Sequence, residues 1–158
     1  FVVAQAPTTA TLIITMKKGV DYINVAVVPF CHDGRGKYLF SLRGQGCRDE
    51  QGRWENAGGG SVEHGETIQD ALVRELKEEC NVTPFNIEYL GFREVFREID
   101  DSISHCISFD FKVQIDPQDV KNSEPEKCDE QRWCLLNEIP TPMHSQLPYF
   151  LEKYKDQL

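Results

Sequence analysis

Three glutamates on one predicted helix are the clearest candidates for chemistry in this chain. Glu75, Glu78 and Glu79 are spaced i, i+3 and i+4, so their carboxylates neighbour one another on a single helix face. Like charges this close repel each other by roughly a few tenths of a kcal/mol per pair, and a hard divalent cation would convert that repulsion into coordination. Oxygen ligands suit Mg²⁺ or Mn²⁺ better than zinc. The spacing therefore predicts a divalent-metal site of the kind that acts on phosphate.

The helix that carries these glutamates has signals at both ends. Thr67 and Asp70 form a capping box at its start, and Asn81 stands where the chain should take the left-handed conformation that ends a helix. Apolar residues recur at intervals of four: Ile68, Leu72, Leu76 and Cys80. This pattern predicts a helix over about residues 68–80, with an apolar stripe beside the acidic face.

Taken singly, these features have simpler explanations. The run Arg74 to Glu79 alone is typical of a solvated helix face with i,i+4 ion pairs. The glycines 58–60 alone would more often be a plain turn than a ligand cradle. The spacing between the glycine run and the helix decides in favour of a functional site.

Residues 60–82 resemble the Nudix box, G-x5-E-x7-R-E-U-x-E-E-x-G-U, in which U is aliphatic. Eight of nine fixed positions match: Gly60, Glu66, Arg74, Glu75, Leu76, Glu78, Glu79 and Val82. Asn81 replaces the last glycine, a mild change at a helix end. Gly58 stands where many relatives have proline, which predicts a less rigid turn. The stretches 54–60 and 124–129, with Trp133 and Pro140, resemble the MutT-like group, so the resemblance covers roughly residues 22–157.

The resemblance implies a fold and a set of site residues. The fold is an α/β single domain, an α/β/α sandwich around a mixed β-sheet. Glu78 and Glu79 would be the principal metal ligands, with the backbone carbonyl of Gly59 or Gly60 beside them, and Glu75 would be a further ligand or the general base. Arg74 would pair with Glu66 and fix the turn to the helix.

A further metal-binding carboxylate often comes from a distant loop in this family. Glu126 is the first candidate here, with Glu124 close behind. Candidate substrate-binding residues are Arg43, Arg48, Arg53 and Trp54, although a polar loop needs charged residues for solvation anyway and tryptophan is more often a core residue than a platform for a base.

The predicted function is a Mg²⁺-dependent Nudix hydrolase that binds a small nucleotide. The stretch 124–129 favours a MutT-like nucleoside triphosphate pyrophosphohydrolase that releases a monophosphate and pyrophosphate, including from oxidised or modified nucleotides. An ADP-ribose or nucleotide-sugar pyrophosphatase is the alternative within the family. A non-catalytic nucleotide sensor is the alternative of another class, but such modules commonly lose glutamates of the box. Isopentenyl diphosphate isomerase shares the fold but needs a catalytic cysteine context that this chain lacks.

Composition sets further bounds. The 158 residues are 40% hydrophobic, which suits one domain. The formal charge of −9 argues against polymeric nucleic acid as a partner. The six cysteines show no metal-finger spacing and predict reduced thiols in a cytoplasmic protein, a monomer or homodimer without a membrane span. Residues 1–19 are interpreted as an N-terminal extension, with Met16 as a candidate natural start, and residues 20–158 as the Nudix domain.

Hydrophobic patterns predict the remaining elements. A buried strand begins near Ile23 and ends at Pro29, and a second runs from Tyr38 to Leu42. After the helix, residues 86–99 form a strand region, and a turn at 100–102 leads to an alternating strand over 107–115. A short strand over 132–136 and a last helix with Leu147, Phe150, Leu151 and Tyr154 complete the chain.

Overall fold

The structure is a computed structural model that describes residues 15–99 and 101–158. Residues 1–14 of the predicted extension and Asp100 of the predicted turn lie outside the described residues. The elements are β1 (Asn24–His32), β2 (Lys37–Arg43), β3 (Trp54–Asn56), β4 (Gly60–Ser61), α1 (Ile68–Cys80), β5 (Asn86–Ile99), β6 (Ser102–Gln114), β7 (Cys128–Leu135), a 3₁₀ turn (Leu136–Glu138) and α2 (Leu147–Tyr154).

The seven strands form one mixed sheet. Its main order is β3-β2-β1-β6-β5, with β4 paired to β1 and β7 paired to β2. Strands β1 and β6 are parallel, and the other pairs are antiparallel. Side chains on the two faces of the sheet pack in two apolar clusters, one with α1 and one with α2. This arrangement confirms the predicted α/β/α sandwich.

Helix α1 has the predicted boundaries. The hydroxyl oxygen of Thr67 accepts a hydrogen bond from the backbone N–H of Asp70 at 3.1 Å, and Asn81 adopts a left-handed conformation with φ of 58°. The stripe residues Leu72, Leu76 and Cys80 are fully buried against the sheet. Local capping and the apolar stripe therefore fix the helix, and its acidic face is left on the side of the glycine turn.

Strand β1 does not end at Pro29, so that prediction was wrong. The strand continues to His32 and pairs with β6 over its whole length. On its other edge it pairs with β4 at Ala26 and Val27 and with β2 only at His32. Pro29 lies between these two partners, where the side chain of Asn56 donates to its carbonyl oxygen at 2.9 Å. The missing N–H of proline is tolerated because, among the described residues, no strand pairs with this edge of β1 at Pro29 itself.

Two other strands begin earlier than their patterns predict. Strand β7 starts at Cys128 rather than at residue 132 and ends at Leu135. It pairs only with β2, and such an edge strand can carry exposed charged residues that hide the alternation. The alternation over 107–115 marks only the second half of β6. Its polar residues Ser104, Ser108 and Asp110 are buried, with exposed fractions of 8%, 3% and 0%.

Candidate active site

The acidic face of α1 lies against the glycine turn that precedes β4. The backbone N–H of Gly58 donates to Oε2 of Glu79 at 3.0 Å. At Gly60, a β-carbon would collide with the carboxylate of Glu75. Glycine at position 60 therefore lets the chain pass directly over this carboxylate, and the Gly58 contact brings a second carboxylate of the helix against the same turn.

Arg74 is the hub of the ion pairs on this face. Its Nε and Nη2 donate to the two carboxylate oxygens of Glu66 at 2.8 and 2.9 Å, and Nη2 also donates to the carbonyl of Ser61 at 3.0 Å. Its Nη1 donates to Glu75 at 2.9 Å and to Glu78 at 3.0 Å. The hydrogen bonds that Glu66 accepts from Arg74 and from the backbone N–H of Glu63 lower the pKa of Glu66 to about 2. Arg74 thus joins the turn to the helix and neutralises part of the acidic face.

Of the three helix glutamates, Glu79 has the pKa that departs most from the ordinary value of glutamate. Burial, together with the nearby carboxylates of Glu55, Glu75 and Glu124, raises its pKa to about 8. Its hydrogen bond is the one from Gly58, a neutral donor. Burial likewise raises the pKa of Glu75, against the opposing effect of Arg74. Glu79 therefore lies near several other carboxylates, and no cationic side chain pairs with it among the described residues.

The donor set of this site fits a hard divalent cation. The donors are all oxygens, and the buried carboxylate of Glu79 has no cationic partner among the described residues. Within residues 15–99 and 101–158, no group of three His, Cys, Asp or Glu side chains already converges around one point. The reason is visible in the geometry, since Arg74 holds Glu75 and Glu78 while Glu79 turns towards Gly58.

A cleft of about 580 Å³ opens from this site over the sheet face that carries α2. That volume lies within the usual range for small-molecule sites. Gly59, Gly60 and Glu79 line one end of the cleft, and Arg93 and Phe150 line its wall on the α2 side. The acidic site and the cleft therefore form one continuous surface.

The structure brings together only part of the predicted substrate-binding set. Arg43 and Arg48 line the cleft. Arg43 already donates to both oxygens of Glu55 and to Asp49, whereas Arg48 is 55% exposed. Arg53 instead donates to the carbonyl of Met143, outside the cleft lining.

Trp54 also lies outside the cleft lining. Its side chain is 5% exposed and packs in the apolar cluster under α2, and the guanidinium of Arg132 lies 4.7 Å from the centre of its ring. The structure gives it the role of a core residue.

The loop carboxylates differ in their placement. Glu124 lines the cleft, and its charge helps to raise the pKa values of Glu75 and Glu79. Glu126 is exposed and is not among the lining residues, and its backbone carbonyl accepts from the N–H of Gly46. Glu124 is therefore better placed to complete the site.

Sequence reasoning missed several cleft residues. Lys18 donates to the hydroxyl of Ser61 at 2.7 Å, next to the glycine turn. Arg93 and Arg97 of β5 line the cleft wall. Because residues four apart on a strand share a face, the repeat of Phe-Arg-Glu at 92–94 and 96–98 is the signal that would have placed these two arginines side by side.

The loop between β2 and β3 is anchored over the cleft by ion pairs. Arg97 donates to Glu50 and to Asp49, at 3.0 Å each. Ser145 donates to Glu50 through its backbone N–H and its hydroxyl. His144 lies 3.3 Å from the same carboxylate, and burial together with Arg97 lowers its pKa to about 4. These contacts with Asp49 and Glu50 hold the loop that carries Arg48.

Comparison with known proteins decides the family. The NUDIX domain family matches residues 22–154. The chain belongs to the NUDIX family. Its fold is similar to that of a MutT NUDIX hydrolase from Burkholderia pseudomallei, with a TM-score of 0.73 and 20% identity over 84% of this chain and 98% of that one. Family membership supports the prediction of an enzyme, a hydrolase of phosphoric anhydride bonds.

Two further NUDIX structures share the fold. The NUDIX domain of Shewanella oneidensis NrtR, solved with ADP ribose, has a TM-score of 0.67 and 18% identity over 90% of each chain. An Ap4A hydrolase from C. elegans has a TM-score of 0.62 and 21% identity over 85% of this chain and 96% of that one. Among the described residues of this NUDIX protein, no helix has both the length and the apolar character needed to span a bilayer.

Proposed function

We propose that this NUDIX protein is a Mg²⁺-dependent pyrophosphohydrolase that cleaves a nucleoside triphosphate into a monophosphate and pyrophosphate. The observation that carries the proposal is the partly buried carboxylate of Glu79, which has no cationic partner among the described residues and lines a nucleotide-sized cleft. Mn²⁺ could replace Mg²⁺ because both prefer oxygen ligands.

The proposed metal ligands are Glu75, Glu78 and Glu79, with the backbone carbonyl of Gly59 or Gly60. Glu124 replaces Glu126 as the loop carboxylate, because its side chain faces the cleft. When bound there, Mg²⁺ would neutralise non-bridging phosphate oxygens and lower the pKa of a water molecule. Hydrolysis of a phosphoric anhydride needs this charge neutralisation together with a positioned nucleophile.

Glu75 is our candidate for the general base. Its side chain is 13% exposed, lies directly beneath Gly60 and accepts a hydrogen bond from Arg74. Burial raises the pKa of this carboxyl, which brings its basicity closer to that needed to accept a proton from water. Arg74 orients the carboxylate and, by pairing with Glu66, keeps the turn against the helix.

The remaining side chains serve to bind the substrate. Lys18, Arg48 and Lys127 line the cleft. The charged group of each makes one hydrogen bond among the described residues and so retains further N–H donors. Three such cations supply local positive charge for a polyphosphate in a chain that is acidic as a whole. All six cysteines are free thiols, which supports a reducing, cytoplasmic setting.

A second candidate function is hydrolysis of ADP-ribose or of a nucleotide sugar. It is favoured by the similarity to a NUDIX domain that was solved with ADP ribose. Both substrate classes present a diphosphate to the same carboxylates, so they differ only in what the rest of the cleft must hold. A non-catalytic sensor is disfavoured because Glu66, Glu75, Glu78 and Glu79 are all present.

The test is a substrate panel with the purified protein. Nucleoside triphosphates, ADP-ribose and UDP-glucose are incubated with and without Mg²⁺, and the products are identified by mass. Release of monophosphate and pyrophosphate from triphosphates, only with Mg²⁺, supports the proposal. Exclusive cleavage of ADP-ribose or UDP-glucose establishes the second candidate instead. Binding of nucleotides without turnover of any substrate identifies a sensor and contradicts both.

A further inference from the structure

Arg93 lies on the wall of the cleft with its guanidinium fixed in orientation. Its Nε and Nη2 donate to the two carboxylate oxygens of Asp110 at 2.6 and 2.9 Å. Asp110 is fully buried and also accepts from the hydroxyls of Tyr154 at 2.8 Å and Ser108 at 2.7 Å. Four hydrogen bonds from three side chains therefore fix the position of the Asp110 carboxylate, and this carboxylate in turn fixes the guanidinium of Arg93.

One nitrogen of Arg93 remains without a partner. The side chain is 10% exposed, and its Nη1 is buried without a hydrogen bond among the described residues. The face of Phe150 lies on one side of the guanidinium, with the Cζ atom 5.2 Å from the ring centre. A buried donor without a partner is energetically costly. An acceptor reaches Nη1 only when the side chains around this nitrogen shift, and the hydrogen bond that it then makes would recover that cost.

The sheet register places Arg93 in line with the acidic site. Arg93 pairs with Ser108, Ser108 with Ala26, and Ala26 with Ser61, the residue after Gly60. These are three steps between neighbouring strands, or about 14 Å. A nucleotide with its phosphates at the glycine turn would thus extend across Ala26 and Ser108 towards Arg93.

The floor of the cleft along this line is built from small side chains. The cleft-lining residues on this face of β1 and β6 are Asn24, Ala26, Val28, Ser104, Cys106 and Ser108. None of them projects a ring or a long chain into the space, so a flat group can lie on them. The wall at the end of this floor is the guanidinium of Arg93.

We infer that Arg93 is a specificity-determining residue that donates a hydrogen bond from Nη1 to a carbonyl oxygen on the base of the bound nucleotide. This inference rests on the proposed function for the nature of the substrate. Arginine is a donor only, so it pairs with the 6-oxo group of a guanine or hypoxanthine base and opposes the 6-amino group of adenine. The cleft therefore selects 6-oxopurine nucleotides over adenine nucleotides.

The test compares GTP, ITP and ATP in the wild type and in Arg93→Lys. The lysine variant retains a cation for Asp110 but lacks Nη1. We expect the wild type to prefer GTP and ITP over ATP by roughly tenfold in kcat/KM, the size of one hydrogen bond to a charged group. In the variant the ratio of kcat/KM for GTP or ITP to that for ATP should fall towards one, chiefly because KM for GTP and ITP rises. A preference that survives in the folded variant overturns the inference.

Two further variants keep the test decisive. Arg93→Gln combined with Asp110→Asn removes both buried charges together and provides a second folded form if the lysine variant does not fold. Arg97→Lys changes an arginine on the same strand and face whose donors already serve Asp49 and Glu50. That control should change KM for GTP and ATP by the same factor, and a selective loss of GTP preference in it would contradict the assignment to Arg93.

A binding measurement separates this inference from the proposed function. Dissociation constants for GMP, IMP and AMP are measured by calorimetry in the presence of Mg²⁺, which requires no turnover. A GMP preference that disappears in Arg93→Lys supports the inference even if no triphosphate is hydrolysed. Equal binding of GMP and AMP to the wild type, together with equal turnover of GTP and ATP, overturns it and leaves the hydrolase proposal standing.

Discussion

The backbone N–H of Gly58 donates to the buried carboxylate of Glu79 at 3.0 Å. This contact joins the glycine turn to helix α1, and it depends on a backbone conformation with φ of 87° at Gly58. Proline, which the resemblance to the Nudix box leads one to expect at this position, cannot adopt such a φ value and has no N–H to donate. The turn of this chain therefore contacts the carboxylate of Glu79 through a backbone hydrogen bond that a proline at position 58 could not make.

Substitutions at Gly58 should be more destabilising than at another glycine of the same backbone type. In Gly58→Ala the new methyl group would meet Leu76 Cδ2 at 2.7 Å, whereas at Gly52, where φ is also positive, nothing lies within 4 Å. We expect Gly58→Ala to lose about 1–3 kcal/mol more free energy of unfolding than Gly52→Ala, measured by urea denaturation. Equal losses would show that backbone strain alone sets the effect.

Glu78→Gln should reduce turnover without affecting the fold. The side chain is 51% exposed and its ion pair with Arg74 is on the surface, so we expect an unchanged melting temperature. Removing a ligand charge from the proposed metal site should lower kcat by about 100-fold or more. The matched control is Glu152→Gln on α2, where the glutamate is 76% exposed. Near-normal turnover in Glu78→Gln would remove this residue from the site.

Glu79→Gln should lower activity and raise stability in the absence of metal. The substitution removes a carboxyl group whose ionised form is disfavoured by burial and by the charges of Glu55, Glu75 and Glu124, and the amide oxygen of glutamine can still accept from Gly58. We expect the melting temperature of the metal-free variant to exceed that of the wild type. Mg²⁺ should raise the melting temperature of the wild type but not of the variant. An equal response of both proteins to Mg²⁺ would place the ion elsewhere.

Acid should destabilise the protein through His144. Its pKa is lowered from 6.5 to about 4, first by burial and then by Arg43 and Arg97, against the opposing charge of Glu50. The unfolded chain binds this proton more readily, so the contribution is complete above pH 6.5 and is lost as the pH falls towards 4, by up to about 3 kcal/mol. Unfolding free energies at several pH values should show a flatter profile in His144→Gln. The exposed His64 provides the control, since His64→Gln should retain the wild-type profile.

The part of the fold that could be predicted depends on local interactions. Helix α1 was predictable because its capping residues and its apolar stripe lie within fifteen consecutive residues, 67–81. The spacing of the box likewise placed Glu66, Arg74 and the three helix glutamates together, because both the turn and the helix have regular geometry. No long-range information is needed for either.

The part that could not be predicted depends on contacts between distant segments. The backbone N–H groups of Gly44 and Gly46 donate to the carbonyls of Lys127 and Glu126, and these contacts fix the loop in which Glu124, rather than Glu126, lines the cleft. The alternation in β6 predicted a polar face for Asp110, but Arg93 and Tyr154 on other elements bury it. Sequence spacing contains no information about such partners.

Pro29 lies at the place where helix α1, on one face of the sheet, contributes a side chain to the cleft on the other face. Proline has no N–H to offer beside the carbonyl that accepts from Asn56, and β1 pairs with β2 at His32 rather than at Pro29. The glycine turn packs next to the Pro29 ring, and Glu79 contacts this turn at Gly58, at the edge of the cleft. A residue that usually marks the end of a strand thus lies where the glycine turn and the acidic helix meet the cleft.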